Sequence, residues 1–229
     1  MALQLLSLDL DGTLVDTAGE IAEAANRALA EHGLPLQPPA ELALLIGHGA
    51  HVLMTKLVSQ LVDGRQAAPV DLPAVLASFD RHYADTTATT GRPYPGARDA
   101  LALLRSRGVR LACVTNKELR HTRRLLARHA MDGDFELVIG GDSLPQKKPH
   151  ASVLQHVALT LRVPLEAMAH VGDSATDVQA ARNAGVRAWV VPYGYNAGRP
   201  IAEARPDQIF PDLLAAAHAA LASCDVSAR

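Results

Sequence analysis

Apolar and polar positions change their period several times along the 229-residue chain, and each change marks an element. "LQLLSLDL" (3–10) is a short apolar run followed by Gly12 and Thr13, which predicts a strand ending in a turn. The pattern then becomes helical. Ile21, Ala24, Ala25, Ala28 and Leu29 share one face of a helix from about Glu20 to His32, with Gly33 as its stop. Leu53, Leu57 and Leu61 recur at four-residue spacing in "GAHVLMTKLVSQLVDG", and a third helix is predicted near "LPAVLASFDRHYADT". The next strong strand signal is "VRLACVTN" (109–116). The intervening stretch is too long and too helical for a loop. It predicts an inserted helical cap domain over 15–92, with "GRPYPGA" (91–97) as the return.

From there helices and strands alternate. "ARDALALLRSRG" precedes "VRLACVTN", and "ELRHTRRLLARHA" precedes "FELVIGGD". "ASVLQHVALTLR" precedes "MAHVGDS", "DVQAARNAG" precedes "VRAWVVPYG", and "DLLAAAHAALAS" makes a final helix. This alternation predicts an α/β fold: a Rossmann-like, mainly parallel sheet core built discontinuously from 1–14 and 93–229. Ligands of such sheets bind beyond the carboxyl ends of the strands. Three predicted strand ends carry polar signatures there, "DLDGT", "VTNK" and "VGDS".

Composition narrows the picture. Hydrophobic residues make up 48% of the chain, enough for a substantial core with an insertion. The 22 Lys and Arg nearly balance 24 Asp and Glu, so the net charge of −2 gives no long-range attraction to nucleic acid or anionic membrane. No apolar stretch is long enough to span a bilayer, and Asp9 interrupts "MALQLLSL" too early for a signal peptide. The two cysteines, Cys113 and Cys224, supply neither a dense disulfide framework nor a four-cysteine zinc site. A reduced, cytoplasmic setting is the expectation. The chain has no GxxxxGK[ST] motif and its histidines show no HExxH spacing.

"DLDGTLVD" (9–16) sets three aspartates beside an apolar run, where they should repel one another. Asp173 and Asp177 in "GDSATD" (172–177) add two more, and with Asp9 they form an oxygen-rich set suited to Mg2+. Thr115 and Asn116 can offer a hydroxyl and an amide to phosphate oxygens, and Lys148 in "KKP" (147–149) supplies a cation. With these segments in this order at strand ends, the sequence resembles the haloacid dehalogenase-like hydrolase superfamily, and within it the bacterial phosphoglycolate phosphatase branch.

The resemblance implies that Asp9 attacks phosphorus to form an aspartyl-phosphate. It implies that Asp11 protonates the leaving alcohol and then activates water. One carboxylate must stay ionised while the other carries a proton at the right step. Asp9, the backbone carbonyl of Asp11, and Asp173 would hold Mg2+, with Gly12, Thr13 and Asp177 in support. Lys148, rather than Lys147, takes the catalytic position; Lys147 and the "HTRRLLARH" helix are expected to be solvated. Asp16 is left outside the catalytic set, as part of a hydrogen-bond network or as a helix cap. In the cap, "IGHGAH" (46–51) is expected to turn towards the core. His48, His51 and Lys56 are candidate substrate-binding residues, with Arg65 a further one, each equally suited to an ordinary surface role. The expected activity is Mg2+-dependent hydrolysis of 2-phosphoglycolate by a monomer or homodimer. The alternatives are N-acetylmuramate 6-phosphate or another sugar phosphate, a phosphoryl-transfer mutase, and a phosphate-binding regulatory protein.

Overall fold

The computed structural model describes residues 2–64 and 70–225. Its centre is β1 (Leu5–Leu8), which is buried at every position. β1 pairs in parallel with β4 (Arg110–Val114) on one side and β6 (Met168–Gly172) on the other. β5 (Leu137–Ile139) extends the first side, while β7 (Arg187–Val190) and β8 (Gln208–Ile209) extend the second, giving the order β5-β4-β1-β6-β7-β8. The strand order reverses direction around β1. Such a switch point leaves a crevice at the carboxyl ends of the central strands.

Successive residues on these strands serve opposite faces. Leu6, Leu8, Leu111, Cys113, Ala169 and Val171 pack under α5 (Ala97–Ser106), α6 (Leu119–Arg128) and α9 (Leu213–Asp225). Leu5, Ala112, Val114 and Met168 pack under α7 (Ser152–Leu161) and α8 (Ala175–Ala184). Both faces are covered, which explains why the strands read as continuous apolar runs. β8 was not anticipated, because it is two exposed residues at the sheet edge.

α1 (Ala18–Glu31), α2 (Pro39–Ala43), α3 (Ala50–Asp63) and α4 (Leu72–Thr86) build a separate apolar cluster. Ile21, Ala25 and Leu29 of α1 meet Val75, Phe79 and Tyr83 of α4, while Leu53 and Leu57 of α3 close the group. α2 was also not anticipated: it is a single short turn whose sole buried residue is Leu42. The two chain crossings between this helical cap and the sheet pair with each other. β2 (Val15–Asp16) lies antiparallel to β3 (Arg92–Pro93), so the cap hangs from a two-stranded ribbon. No described helix is long and apolar enough to cross a membrane.

Candidate active site

Asp9 follows the last residue of β1, and its backbone N–H continues the ladder to Val171 O (2.9 Å). That pairing aims its carboxylate into the crevice. Asp9 Oδ1 accepts from Leu10 N at 2.7 Å and from Lys148 Nζ at 2.9 Å. Its Oδ2 takes no hydrogen bond from the described residues. Asp173 follows the last residue of β6 in the same crevice; its Oδ1 accepts from Thr13 Oγ1 (2.7 Å) and its Oδ2 from Tyr195 N (2.5 Å). Gly12 makes this approach possible: at φ +85° it is left-handed, and a Cβ there would collide with the Asp173 carboxylate.

Asp177 is the most heavily bonded of the group. Lys148 Nζ (2.7 Å) and His170 Nε2 (3.2 Å) meet its Oδ1, while Ser174 N (3.1 Å) and Oγ (2.5 Å) donate to Oδ2. The bond from Ser174 N belongs to the capping box that starts α8. Burial works against its charge, but Lys148 and His170 outweigh that and hold the Asp177 carboxyl well below the usual range. Asp173 goes the other way. Burial, then the charges of Asp177 and Asp9, push it well above the ordinary carboxylate value. Burial also lifts Asp9 to about 7, against the pull of Lys148.

Carboxylate oxygens of Asp9, Asp173 and Asp177 all lie within 4.8 Å of one another. Lys148, its side chain 1% exposed, balances two of them, and Asp173 is left without an ion-pair partner among the described residues. An all-oxygen donor set short of positive charge fits a hard divalent cation. Because Asp177 is already held by Lys148, Ser174 and His170, Asp9 and Asp173 are the better placed ligands.

Asp11 points elsewhere. Its Oδ1 accepts from Thr17 Oγ1 (2.7 Å) and Lys117 Nζ (3.0 Å), and Lys117 also reaches Oδ2 (3.3 Å). Lys117 follows Thr115 and Asn116 beyond β4 and is almost wholly buried. It donates to the Tyr83 hydroxyl of α4 and lies 4.8 Å from the centre of that ring. Burial opposes its charge, yet Asp11 and Tyr83 hold the ammonium above the ordinary lysine range. Sequence reasoning missed this residue, although it sits within "VTNK". The available signal was Tyr83 itself, at four-residue spacing from Phe79 on the apolar face of α4.

A cavity of about 30 Å³ lies over Asp9 and Asp11, lined by them with Thr115, Asn116, Lys117 and Tyr83 and by Ile21, Ile46, Gly47, Gly49, Ala50 and Leu53 of the cap. The turn at 46–49 rests on the core. Asn116 Nδ2 donates to Gly47 O (3.1 Å) and Lys148 O (3.0 Å), and Lys147 Nζ donates to His48 O (2.9 Å). Gly49, at φ +95°, has Asn116 O and Lys147 Nζ only 3.2 Å from where a Cβ would stand.

Two expectations change here. The Asn116 amide is engaged by carbonyls and acts as a strut under the cap turn, leaving its buried Oδ1 unpartnered. Lys147 is a clasp on that turn rather than a solvated side chain, because the turn descends onto it. His48, His51 and Lys56 do not line the cavity. His48 Nδ1 sits 3.4 Å from Thr176 Oγ1, and His48 and Lys56 share an outer groove with Lys147. His51 turns to Asp80. Arg65 lies outside the described residues. Asp16 joins a hinge network, accepting from the Tyr195 hydroxyl and from Ala18 N (3.3 Å).

Residues 7–191 match the haloacid dehalogenase-like hydrolase family. The chain is 39% identical over 213 residues to a phosphoglycolate phosphatase of Nitrosospira multiformis, covering 93% of each. It is 45% identical over 189 residues to a plasmid-encoded phosphoglycolate phosphatase of Cupriavidus necator, covering 82% of this chain and 80% of that one. The crystal structure of a predicted phosphoglycolate phosphatase from Haemophilus somnus superposes with a TM-score of 0.89 at 32% identity, over 93% of this chain and 95% of that one. The chain therefore belongs to the haloacid dehalogenase-like hydrolases.

Proposed function

We propose that this protein is a Mg2+-dependent phosphomonoesterase acting on 2-phosphoglycolate through a covalent intermediate on Asp9. The observation that carries the reading is the state of the two carboxylates of "DLD". Asp9 keeps one oxygen without a protein donor at the cavity wall, while Asp11 stands apart on Lys117 and Thr17. That division suits a nucleophile and a separate acid/base group. Mg2+ held by Asp9, the Asp11 carbonyl and Asp173 would offset the charge of the phosphoryl oxygens.

The protein's own groups do the rest. Lys148 orients Asp9 and would face the charge that develops on phosphorus, and Thr115 lines the cavity at Asp9. Asp11 gives a proton to the leaving alcohol and later takes one from the attacking water. Asp177 holds Lys148 in place. The cap rim of Ile21, Ile46 and Leu53 excludes bulk water once the turn at 46–49 is seated.

One feature favours 2-phosphoglycolate over a sugar phosphate. The cavity at Asp9 is lined by a buried cation, Lys117, suited to a substrate with a carboxylate close to its phosphate. The relatives named above support the same choice. Asp9→Asn should lose essentially all turnover with the fold intact, and rapid-quench labelling should place the phosphate on Asp9 in the wild type. kcat/KM for 2-phosphoglycolate should exceed those for N-acetylmuramate 6-phosphate and glucose 6-phosphate by more than about tenfold, or 1.4 kcal/mol. The reverse preference would overturn the substrate but leave the phosphatase chemistry standing.

A further inference from the structure

The loop after β7, "PYGYN" (192–196), has no part in the chemistry proposed above, yet it touches three segments of the site. Tyr193 Oη donates to Thr13 O (2.9 Å), and Tyr195 N donates to Asp173 Oδ2 (2.5 Å). Gly194 lies between them so closely that a Cβ there would collide with Gly12 O and Asp173 Oδ2. The loop is therefore pinned to the sheet domain on both sides of Gly194.

The Tyr195 side chain reaches the other way, to the point where the chain enters the cap. Its hydroxyl accepts from Thr17 N (2.9 Å) and Ala18 N (3.0 Å) and donates to Asp16 Oδ1. One phenol thus uses its donor and its acceptor capacity on three consecutive residues. Thr17 N and Ala18 N belong to the start of α1, where N–H groups have no partner within the helix. Thr17 is fully buried and stands at the N-cap position, where a threonine hydroxyl ordinarily bonds its own helix. Here that hydroxyl makes no such bond and donates to Asp11 Oδ1 at 2.7 Å. The helix start is capped from the sheet domain by Tyr195, and Thr17 holds the acid/base carboxylate.

We propose that Tyr195 is a positioning residue for proton transfer: by fixing Thr17 it fixes how Asp11 presents its carboxyl to the leaving oxygen. The role rests on the phosphatase reading above. Lys117 also grips Asp11, but its Nζ lies 3.0 Å from Oδ1 and 3.3 Å from Oδ2 and so scarcely distinguishes the two oxygens. Thr17 does distinguish them. It engages Oδ1 and leaves Oδ2 as the oxygen that carries the proton. As the P–O bond breaks, its electron pair stays with the leaving oxygen, which takes that proton. Tyr195 does not line the cavity at Asp9, so its effect reaches the substrate through Thr17 and Asp11. A basic alkoxide depends on the proton for its departure, whereas p-nitrophenolate leaves without it.

The test is kcat/KM for 2-phosphoglycolate and for a series of substituted phenyl phosphates, which differ in leaving-group basicity and carry no carboxylate for Lys117. Tyr195→Phe keeps the ring and the backbone bond to Asp173, and urea unfolding checks that the fold is kept. In this variant 2-phosphoglycolate and the most basic phenol should fall about tenfold or more, part of the roughly 10²–10⁴ that general acid–base catalysis supplies. p-Nitrophenyl phosphate should fall much less, so the rate comes to depend more steeply on leaving-group basicity. Thr17→Val removes the other hydroxyl of the chain and should reproduce that steepening. The double variant should be no worse than Thr17→Val alone, because both changes act on one contact. An unchanged dependence on leaving-group basicity in Tyr195→Phe, or losses that multiply in the double variant, would overturn the role and leave the phosphatase reading standing. A wild type that turns over no phosphate ester would overturn that reading, and this role with it.

Discussion

Lys148 and Lys117 are both buried ammonium groups paired with an aspartate of the same "DLD" segment, yet they work in different parts of the molecule. Lys148 meets Asp9 and Asp177, and all three belong to the sheet domain. Lys117 meets Asp11 on the core and the Tyr83 hydroxyl on the cap. The first arrangement is complete whatever the cap does. The second is complete only with the cap seated. On the proposed reading, phosphoryl chemistry and leaving-group recognition fall to two different cations, and each can be disturbed without the other.

The sharpest way to break this division is Lys148→Met. Every phosphate ester should lose about 10²–10³ in kcat, p-nitrophenyl phosphate included, because the lost charge faces the phosphoryl group itself. Asp9 and Asp177 would also be left buried without their cation, at a cost of about 3–5 kcal/mol in stability. Urea unfolding must accompany the kinetics to separate the two effects. A loss confined to 2-phosphoglycolate would contradict the assignment.

Lys117→Met should be smaller and selective. A hydrogen bond to a charged group contributes about 1.5–3 kcal/mol, so kcat/KM for 2-phosphoglycolate should fall about 10- to 100-fold. p-Nitrophenyl phosphate lacks the second anion and should fall much less. If both substrates fall together, Lys117 acts through Asp11 and not on the leaving group.

The same contrast explains what could be read from the sequence. Asp9, Asp11, Asp173 and Asp177 sit in short segments following apolar strands, and Lys148 sits in the loop between β5 and α7, so local pattern and strand order bring them to one crevice. Lys117 lies in one of those segments but is buried only because Tyr83, 34 positions earlier, folds over it. His121 shows the same limit. "HTRRLLARH" reads as a solvated basic helix, yet α6 buries His121, Thr122, Leu125 and Leu126 and leaves Arg123, Arg124 and Arg128 outside. Its apolar face was legible; that the cap would extend that face with Tyr83 was not. The cap candidates depend on the same kind of placement. His48, His51 and Lys56 carry suitable chemistry, but this part of the cap lines the cavity at Asp9 with Ile46, Gly47, Gly49, Ala50 and Leu53 and not with those three residues.

Tyr83→Phe is the mildest probe and the most discriminating. The ring stacks on Phe79 at 5.2 Å between centroids and tilts against His121 at 4.5 Å, and phenylalanine preserves both contacts. The face beneath the Lys117 ammonium is preserved as well. What disappears is the hydroxyl, the acceptor that ties Lys117 to the cap, while Asp11 continues to hold the lysine on the core side. About 1 kcal/mol of stabilisation should go with that bond. It should come from the seated form of the cap more than from the sheet domain. Apparent affinity should therefore weaken about fivefold for 2-phosphoglycolate, with kcat nearly unchanged once substrate is saturating. Steady-state kinetics on both substrates, with urea unfolding alongside, would check this. A fall in kcat as deep as that of Lys117→Met would mean that Tyr83 orients the acid/base carboxylate directly, and the line drawn between the two lysines would then have to move.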